Sequence, residues 1–242
     1  IVRLVKEICF LGPDCVCQGG PLDHAMIAAA KTGSTERMSN FLDVGVSVDV
    51  CHVQNGRTAL MEAAAGGHDD IVTIMINNNA ALETADANEM TAYLLACDGG
   101  HASCVQKLLT AGADLAASGA DGSTGASLAD QSVLSVLEHA LLQFSAEGTS
   151  ARLSDIIQSG VSTGATTASG GTALMEACKG GHIDCANLLL DSDADDSPDD
   201  HGKTAFHVSC AGGHCDCVKA LVAAGTDVTA SDNDSKTGWA LA

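Results

Sequence analysis

The densest set of potential ligands in this chain is His207, Cys210, His214, Cys215 and Cys217. Thiolate and imidazole are donors that zinc takes, four to a tetrahedron. Their spacing reproduces none of the usual Cys-x-x-Cys pairings, so two readings stand side by side: a zinc site, or packing by small apolar thiols. A second candidate is the acidic run from Asp191 to Asp200. It opens with the alternating aspartates of a calcium loop, yet Asp196 stands where the sharp-turn glycine belongs and Gly202 where the bidentate glutamate belongs. A solvated acidic loop is the simpler expectation. His68, His101, His182 and His214 each follow a glycine pair. Four equivalent bases in series have no catalytic logic, and each is expected to bond nearby backbone and tie one segment to the next. Ser, His, Asp and Cys are plentiful, but there is no nucleophile elbow, phosphate-cradling glycine loop or metal-binding helix motif. Neither a catalytic site nor a cofactor is expected.

The elements that carry these residues repeat. The run Thr58 to His68 returns as Thr91 to His101, Thr172 to His182 and Thr204 to His214, and Thr58, Thr91 and Thr124 lie 33 residues apart. A fixed period of this size means stacked units, none able to bury its apolar face alone. After each threonine come small and apolar residues, a glycine pair that breaks the helix, and a second apolar stretch. In that second stretch Val105, Leu108 and Leu109 fall on one helical stripe. Gly112-Ala113-Asp114 and Ala120-Asp121-Gly122 then bracket a turn-rich loop. The register also bears on the cysteines. Cys97, Cys178 and Cys210 occupy the place of Ala64, and Cys104, Cys185 and Cys217 that of Ile71, which favours core packing for them.

These motifs resemble the ankyrin repeat family, whose unit has a Thr-Pro-Leu-His start, a Gly-His turn and a Gly-Ala-Asp exit. Here they read Thr58-Ala59-Leu60-Met61, Gly67-His68 and Gly112-Ala113-Asp114. Alanine replaces the family's proline at Ala59, Ala92, Ala173 and Ala205, which weakens the pre-set helix start. The family's helix-starting histidine survives as His207. The resemblance implies an all-α fold, an ankyrin-repeat solenoid of paired short antiparallel helices with protruding β-hairpin or finger loops. Residues 1–242 are expected to form a single array cut inside repeats at both ends. Ile1 to Leu11 reads as the second helix of an incomplete repeat, and Asp234 to Ala242 as the start of another. An offset near 115 relates His24-Ala25-Met26 to His139-Ala140-Leu141, and Thr58–His68 to Thr172–His182. The array therefore reads as a first block, 1–137, and its tandem duplicate, 138–242. Only 15 residues separate Thr124 from His139, so Ser132 to Phe144 is expected to run as one helix serving both blocks.

What remains is binding. The resemblance places it on finger tips and exposed first-helix residues: His52, Asn55, Arg57, Glu62, Met90 and Asp98 in the first block. In the second block the same positions are Glu176, Lys179, Asp200, His201 and Lys203. The expected function is a protein–protein interaction scaffold or targeting module. The alternative is a regulatory or substrate-recruiting segment of a larger enzyme or channel. Charge constrains the partner: 11 Lys plus Arg against 31 Asp plus Glu leave a net −20. Nucleic acid, whose affinity is dominated by cationic contacts to phosphate, is excluded as a direct ligand, and a basic protein surface is favoured. Aromatic residues make up only 2 %, so few anchors exist and modest affinity is expected. The longest apolar runs fall short of a membrane span. Eleven cysteines without a disulfide pattern suit a reducing compartment, cytoplasm or nucleus, for a monomeric segment of a longer chain.

Overall fold

The computed structural model describes residues 20–241. The reading made for Ile1 to Leu11 lies outside the described residues. The chain divides into two compact units between Leu134 and Ser135. The first holds the helices α1 (Pro21–Lys31), α2 (Thr35–Asp43), α3 (Ala59–Ala65), α4 (Asp69–Asn77), α5 (Ala92–Asp98), α6 (Ala102–Ala111) and α7 (Gly125–Leu128). Helix α8 (Gln131–Glu147) carries the division within it. The second unit continues with α9 (Ser150–Gln158), α10 (Ala173–Lys179), α11 (Ile183–Asp191), α12 (Ala205–Ala211), α13 (Cys215–Ala224) and a 3-10 turn, Gly238–Ala240. Among the described residues β pairing is confined to isolated bridges at the finger bases: Cys51 with Thr58, Ser118 with Thr124, Thr166 with Thr172 and Ser231 with Thr237.

Within the first unit α1, α3, α5 and α7 pack side by side in one row, and α2, α4 and α6 in a second. Within the second unit α10, α12 and the 3-10 turn form one row, and α9, α11 and α13 the other. Helices α3, α5, α7, α10 and α12 each start directly after a threonine. Thr58 Oγ1 accepts the Met61 N–H at 3.2 Å, and Thr91 and Thr172 do the same for Leu94 and Met175 at 3.3 Å. Such a cap satisfies an otherwise orphaned helix donor and stabilises by about 1 kcal/mol. It does so with alanine, not proline, at the next position. The faces so positioned are apolar: Leu60, Met61, Leu94, Leu174 and Phe206 are buried. Each such side chain contributes roughly 1.5–3 kcal/mol.

The glycine pair and its histidine join neighbouring pairs of helices. Gly66 closes α3 in right-handed geometry, and Gly67 then reverses the chain at φ +69°. A side chain at Gly67 would be strained. The His68 ring stands against Gly33 of the preceding turn, where an added Cβ would come within 2.7 Å of Nδ1. Its Nε2 faces the Lys31 carbonyl at 3.0 Å. His101, His182 and His214 repeat that bond to Ala65, Ala146 and Lys179, each at 3.0 Å. The histidines tie one repeat to the next, as their register suggests.

At the fourth turn Asp130 stands in the histidine's place. Its Oδ2 lies where an added Cβ at Gly100 would meet it at 2.7 Å, and its Oδ1 accepts the Val133 N–H at 2.9 Å, opening α8. Helix α8 then runs on through Val133, Leu137 and Leu141, all buried, to Glu147. It fuses the second helix of one repeat with the first helix of the next. The finger that would separate them is absent.

One packing detail recurs near the end of each unit. Tyr93 and Phe206 fill a first-helix position held by leucine at Leu60 and Leu174. Opposite them the following repeat has Gly125 and Gly238, where Ala92 and Ala205 stand in the other two cases. A Cβ at Gly125 would collide with the Tyr93 ring, and one at Gly238 with the Phe206 ring. A larger side chain on one layer is matched by a smaller one on the next.

Candidate functional site

The fingers are built by side-chain oxygens. In the finger before Thr91, Asp86 is buried, and its Oδ1 accepts the N–H groups of Asn88 at 2.8 Å and Met90 at 3.1 Å. Asp199 and Asp232 hold the matching amides of their own fingers: His201 and Lys203, and Asp234 and Lys236. The first finger has Val53 at that place, 60 % exposed, and the third has Gly119. There the tip residue substitutes: Asn55 Oδ1 accepts the Arg57 N–H at 3.1 Å, and Asp121 Oδ1 that of Ser123 at 2.9 Å. In the second unit's first finger Thr167 Oγ1 accepts the Gly171 N–H at 2.9 Å. The amide just before each of these threonines is satisfied, by whichever polar side chain the finger offers.

Consecutive fingers are also joined to each other. Ala87 donates its N–H to Asn55 O and Ala120 to Asn88 O, both at 2.9 Å. In the second unit Asp200 donates to Ser169 O at 3.1 Å and Asn233 to His201 O at 2.9 Å. Asn233 Nδ2 adds a bond to Asp200 O at 3.0 Å. Each unit thus carries a strip of fingers held at fixed spacing by main-chain bonds.

Of the residues singled out from the sequence, six lie in the first unit. His52 is half-buried, its ring edge-on to His24 with centroids 5.4 Å apart. Asn55 is half-buried in the strip just described. Arg57 reaches the next finger, Nε to Asp86 Oδ2 at 3.0 Å. Burial works against the charged form of Asp86, but the Asn88 and Met90 amides and the Arg57 guanidinium outweigh it and hold its pKa below the ordinary 3.8. Met90 is half-buried beside Gly119, Glu62 half-buried on α3, and Asp98 exposed at the end of α5. In the second unit Lys179 is exposed on α10 with Nζ 3.8 Å from half-buried Glu176. Asp200 and His201 are exposed at one finger tip, with Lys203 half-buried below them. The sequence reading missed Asp86 and the inter-finger bonds. Asp86, Asp199 and Asp232 share one register, five residues before a threonine, and that was the available signal.

The histidine–cysteine group is not assembled as a metal site. The His207 ring is buried, with Nδ1 3.0 Å from Thr204 Oγ1 and Nε2 3.2 Å from Lys236 O. Cys210 and Cys217 are buried and Cys215 is exposed. Among the described residues no group of three or more His, Cys, Asp or Glu side chains is placed to hold a metal ion. Burial pushes the Cys97 and Cys178 thiols up to about 12 and Cys104 up to about 11. These thiols are protonated packing groups. The acidic run is likewise taken up by its own loop: Asp195 Oδ1 accepts the Ser197 N–H at 2.9 Å, and Asp196 Oδ1 the Ala205 N–H at 3.1 Å. No described helix is long and apolar enough to cross a membrane.

Three comparisons relate the chain to known proteins. A family model described as ankyrin repeats (3 copies) matches residues 25–118 and 141–232. The ankyrin repeat and KH domain-containing protein mask-1 of Caenorhabditis elegans is 36 % identical over 97 residues, 35 % of this chain. The chain spans 4 % of that protein's length. The crystal structure of the human ASB11 ankyrin repeat domain aligns with 90 % of both chains at 22 % identity and a TM-score of 0.45. Ankyrin repeats are in general protein–protein interaction modules, typically without catalysis of their own. With the family model covering well over half of its length, the chain belongs to the ankyrin repeat family.

Proposed function

We propose that this chain is an interaction scaffold that docks a partner protein on the finger strips and the outward residues of the first helices. The observation that carries the reading is the main-chain bonding between successive fingers, Ala87 to Asn55 and Asn233 to His201. Loops fixed in this way present their side chains at low entropic cost on binding. His52, Asn55, Glu62, Met90 and Asp98 form the face in the first unit, with Arg57 bracing it through Asp86. Glu176, Lys179, Asp200, His201 and Lys203 form it in the second. The net charge of −20 favours a partner with a basic surface, drawn in faster at low salt. The same excess of acid disfavours nucleic acid. Residues 1–137 and 138–242 are proposed as a tandem duplication, since Tyr93–Gly125 and Phe206–Gly238 recur 113 positions apart. Free buried thiols at Cys97, Cys104, Cys178 and Cys185 suit a reducing compartment, cytoplasm or nucleus.

A second reading has one fact in its favour. The chain spans only 4 % of its curated relative, so the array also fits a recruiting segment within a larger enzyme or channel. Proximity labelling in cells tests the docking face. Wild type is compared with a His201→Ala/Lys203→Glu double variant and with Lys219→Glu on α13, away from the fingers. The finger variant is expected to lose a defined set of neighbours that the α13 variant keeps. Identical labelling by all three would remove the docking face from the second unit.

A further inference from the structure

The first finger contains an asparagine followed directly by glycine, Asn55-Gly56, and this dipeptide occurs nowhere else in the chain. Its chemistry is intrinsic. The Gly56 nitrogen can attack Asn55 Cγ, forming a five-membered imide as the Cγ–Nδ2 bond breaks. Ammonia leaves, carrying the proton lost by the Gly56 nitrogen. Water then opens the ring at either carbonyl, giving aspartate or its β-linked isomer. No oxidant or enzyme is needed, and glycine leaves the attacking nitrogen unhindered by a side chain.

The folded finger opposes each step. The Gly56 N–H, which must be given up, donates to His52 O at 2.8 Å. Asn55 Oδ1, whose carbon must swing onto that nitrogen, is held by the Arg57 N–H at 3.1 Å. Gly56 sits at φ +72°, and Asn55 O is anchored by the Ala87 N–H at 2.9 Å. We infer that Asn55 is a self-modification site gated by the first finger: closed while these bonds stand, and open when the finger frays. The two products differ in consequence. The third finger already has aspartate at the equivalent tip, with Asp121 Oδ1 accepting the Ser123 N–H at 2.9 Å as Asn55 Oδ1 accepts that of Arg57. Aspartate therefore keeps the oxygen that this bond needs. The β-linked isomer lengthens the main chain by one carbon and displaces the Asn55 carbonyl, which severs the bond to Ala87. The strip of the first unit then loses its first link, whether or not a partner docks there.

The test is peptide mapping of the purified chain held at mildly alkaline pH, in buffer and in denaturing urea, with amide exchange read at Gly56 and Ala87. Conversion at Asn55 is expected in urea and to be roughly tenfold or more slower in buffer, tracking the opening of the finger. Asn55→Gln, whose longer side chain cannot close the five-membered ring readily, is expected to stop it. Ala87 exchange is expected to accelerate in the isomer-bearing fraction and to stay unchanged in Asn55→Asp. Equal rates in buffer and urea would overturn the gate. Absence of conversion in urea would overturn the chemistry, and an unaltered Ala87 amide in the isomer would overturn the severed link.

Discussion

Two aspartates in equivalent-looking loops carry opposite electrostatic consequences. Asp86 has its pKa below the ordinary 3.8, because two amides and Arg57 outweigh its burial. Its contribution to stability is therefore complete above that value and is lost as pH falls through the lower folded one. Asp86→Asn is expected to cost about 1–3 kcal/mol at neutral pH, and the difference from wild type should narrow on acidification below about pH 4. Urea unfolding across pH measures both. Asp196 is shifted the other way: burial raises its pKa, the neighbouring Asp195 charge adds to that, and the Ala205 amide and His207 only partly compensate. Here the favourable contribution exists at low pH and disappears as pH rises through the raised value. Asp196→Asn keeps an oxygen for the Ala205 N–H. It is expected to be neutral or stabilising by up to about 1 kcal/mol at neutral pH in the same titration. A clear loss there would mean that the ionised carboxylate is doing more for α12 than accepting one bond.

At the level of elements, the sequence made the helix pairs legible because their boundaries are chemical. A threonine that caps, a glycine pair that must reverse the chain, and a histidine that reaches back to Lys31, Ala65, Ala146 or Lys179 recur in fixed register. The continuous α8 was legible for a related reason, since Val133, Leu137 and Leu141 keep one helical stripe through the place where a finger would fit. Side-chain outcomes on the fingers were not. Register marks Arg57 as an outward cation, but its partner Asp86 lies 29 residues away in the next finger, and only the stacking of fingers brings them to 3.0 Å. The aromatic–glycine pairing between layers is equally invisible to periodicity, and it makes a sharp prediction. Gly125→Ala drives a methyl into the Tyr93 ring and should destabilise by about 1–3 kcal/mol. Adding Tyr93→Leu restores the leucine–alanine combination of Leu60 and Ala92 and should recover part of that loss. A double-mutant cycle in urea reads the coupling, and strict additivity would show that the two residues do not compete for the same space.

For the molecule as a whole, the dominant physical quantity is its excess of acid, 31 carboxylates against 11 fixed cations. Among the described residues the ion pairs that oppose it are few and mostly exposed, such as Lys219 with Asp216 and Lys236 with Asp234. Exposed pairs of this kind contribute little, because water and salt screen them. Self-repulsion of the remaining charge opposes the folded state, where the carboxylates are closer together than in the unfolded chain. Salt acts on both terms, but it removes more repulsion than attraction when one sign so outnumbers the other. Raising NaCl from low concentration to about 0.15 M, where the screening length is about 8 Å, should therefore raise the urea midpoint. The same salt should slow association with a basic partner, because steering over long distance is screened as well. The two slopes carry opposite signs and can be measured on one preparation, by urea unfolding and by stopped-flow mixing. A midpoint that falls with salt would place the net electrostatic balance in specific pairs such as Lys107 with Asp69, 2.8 Å apart, and not in the overall charge.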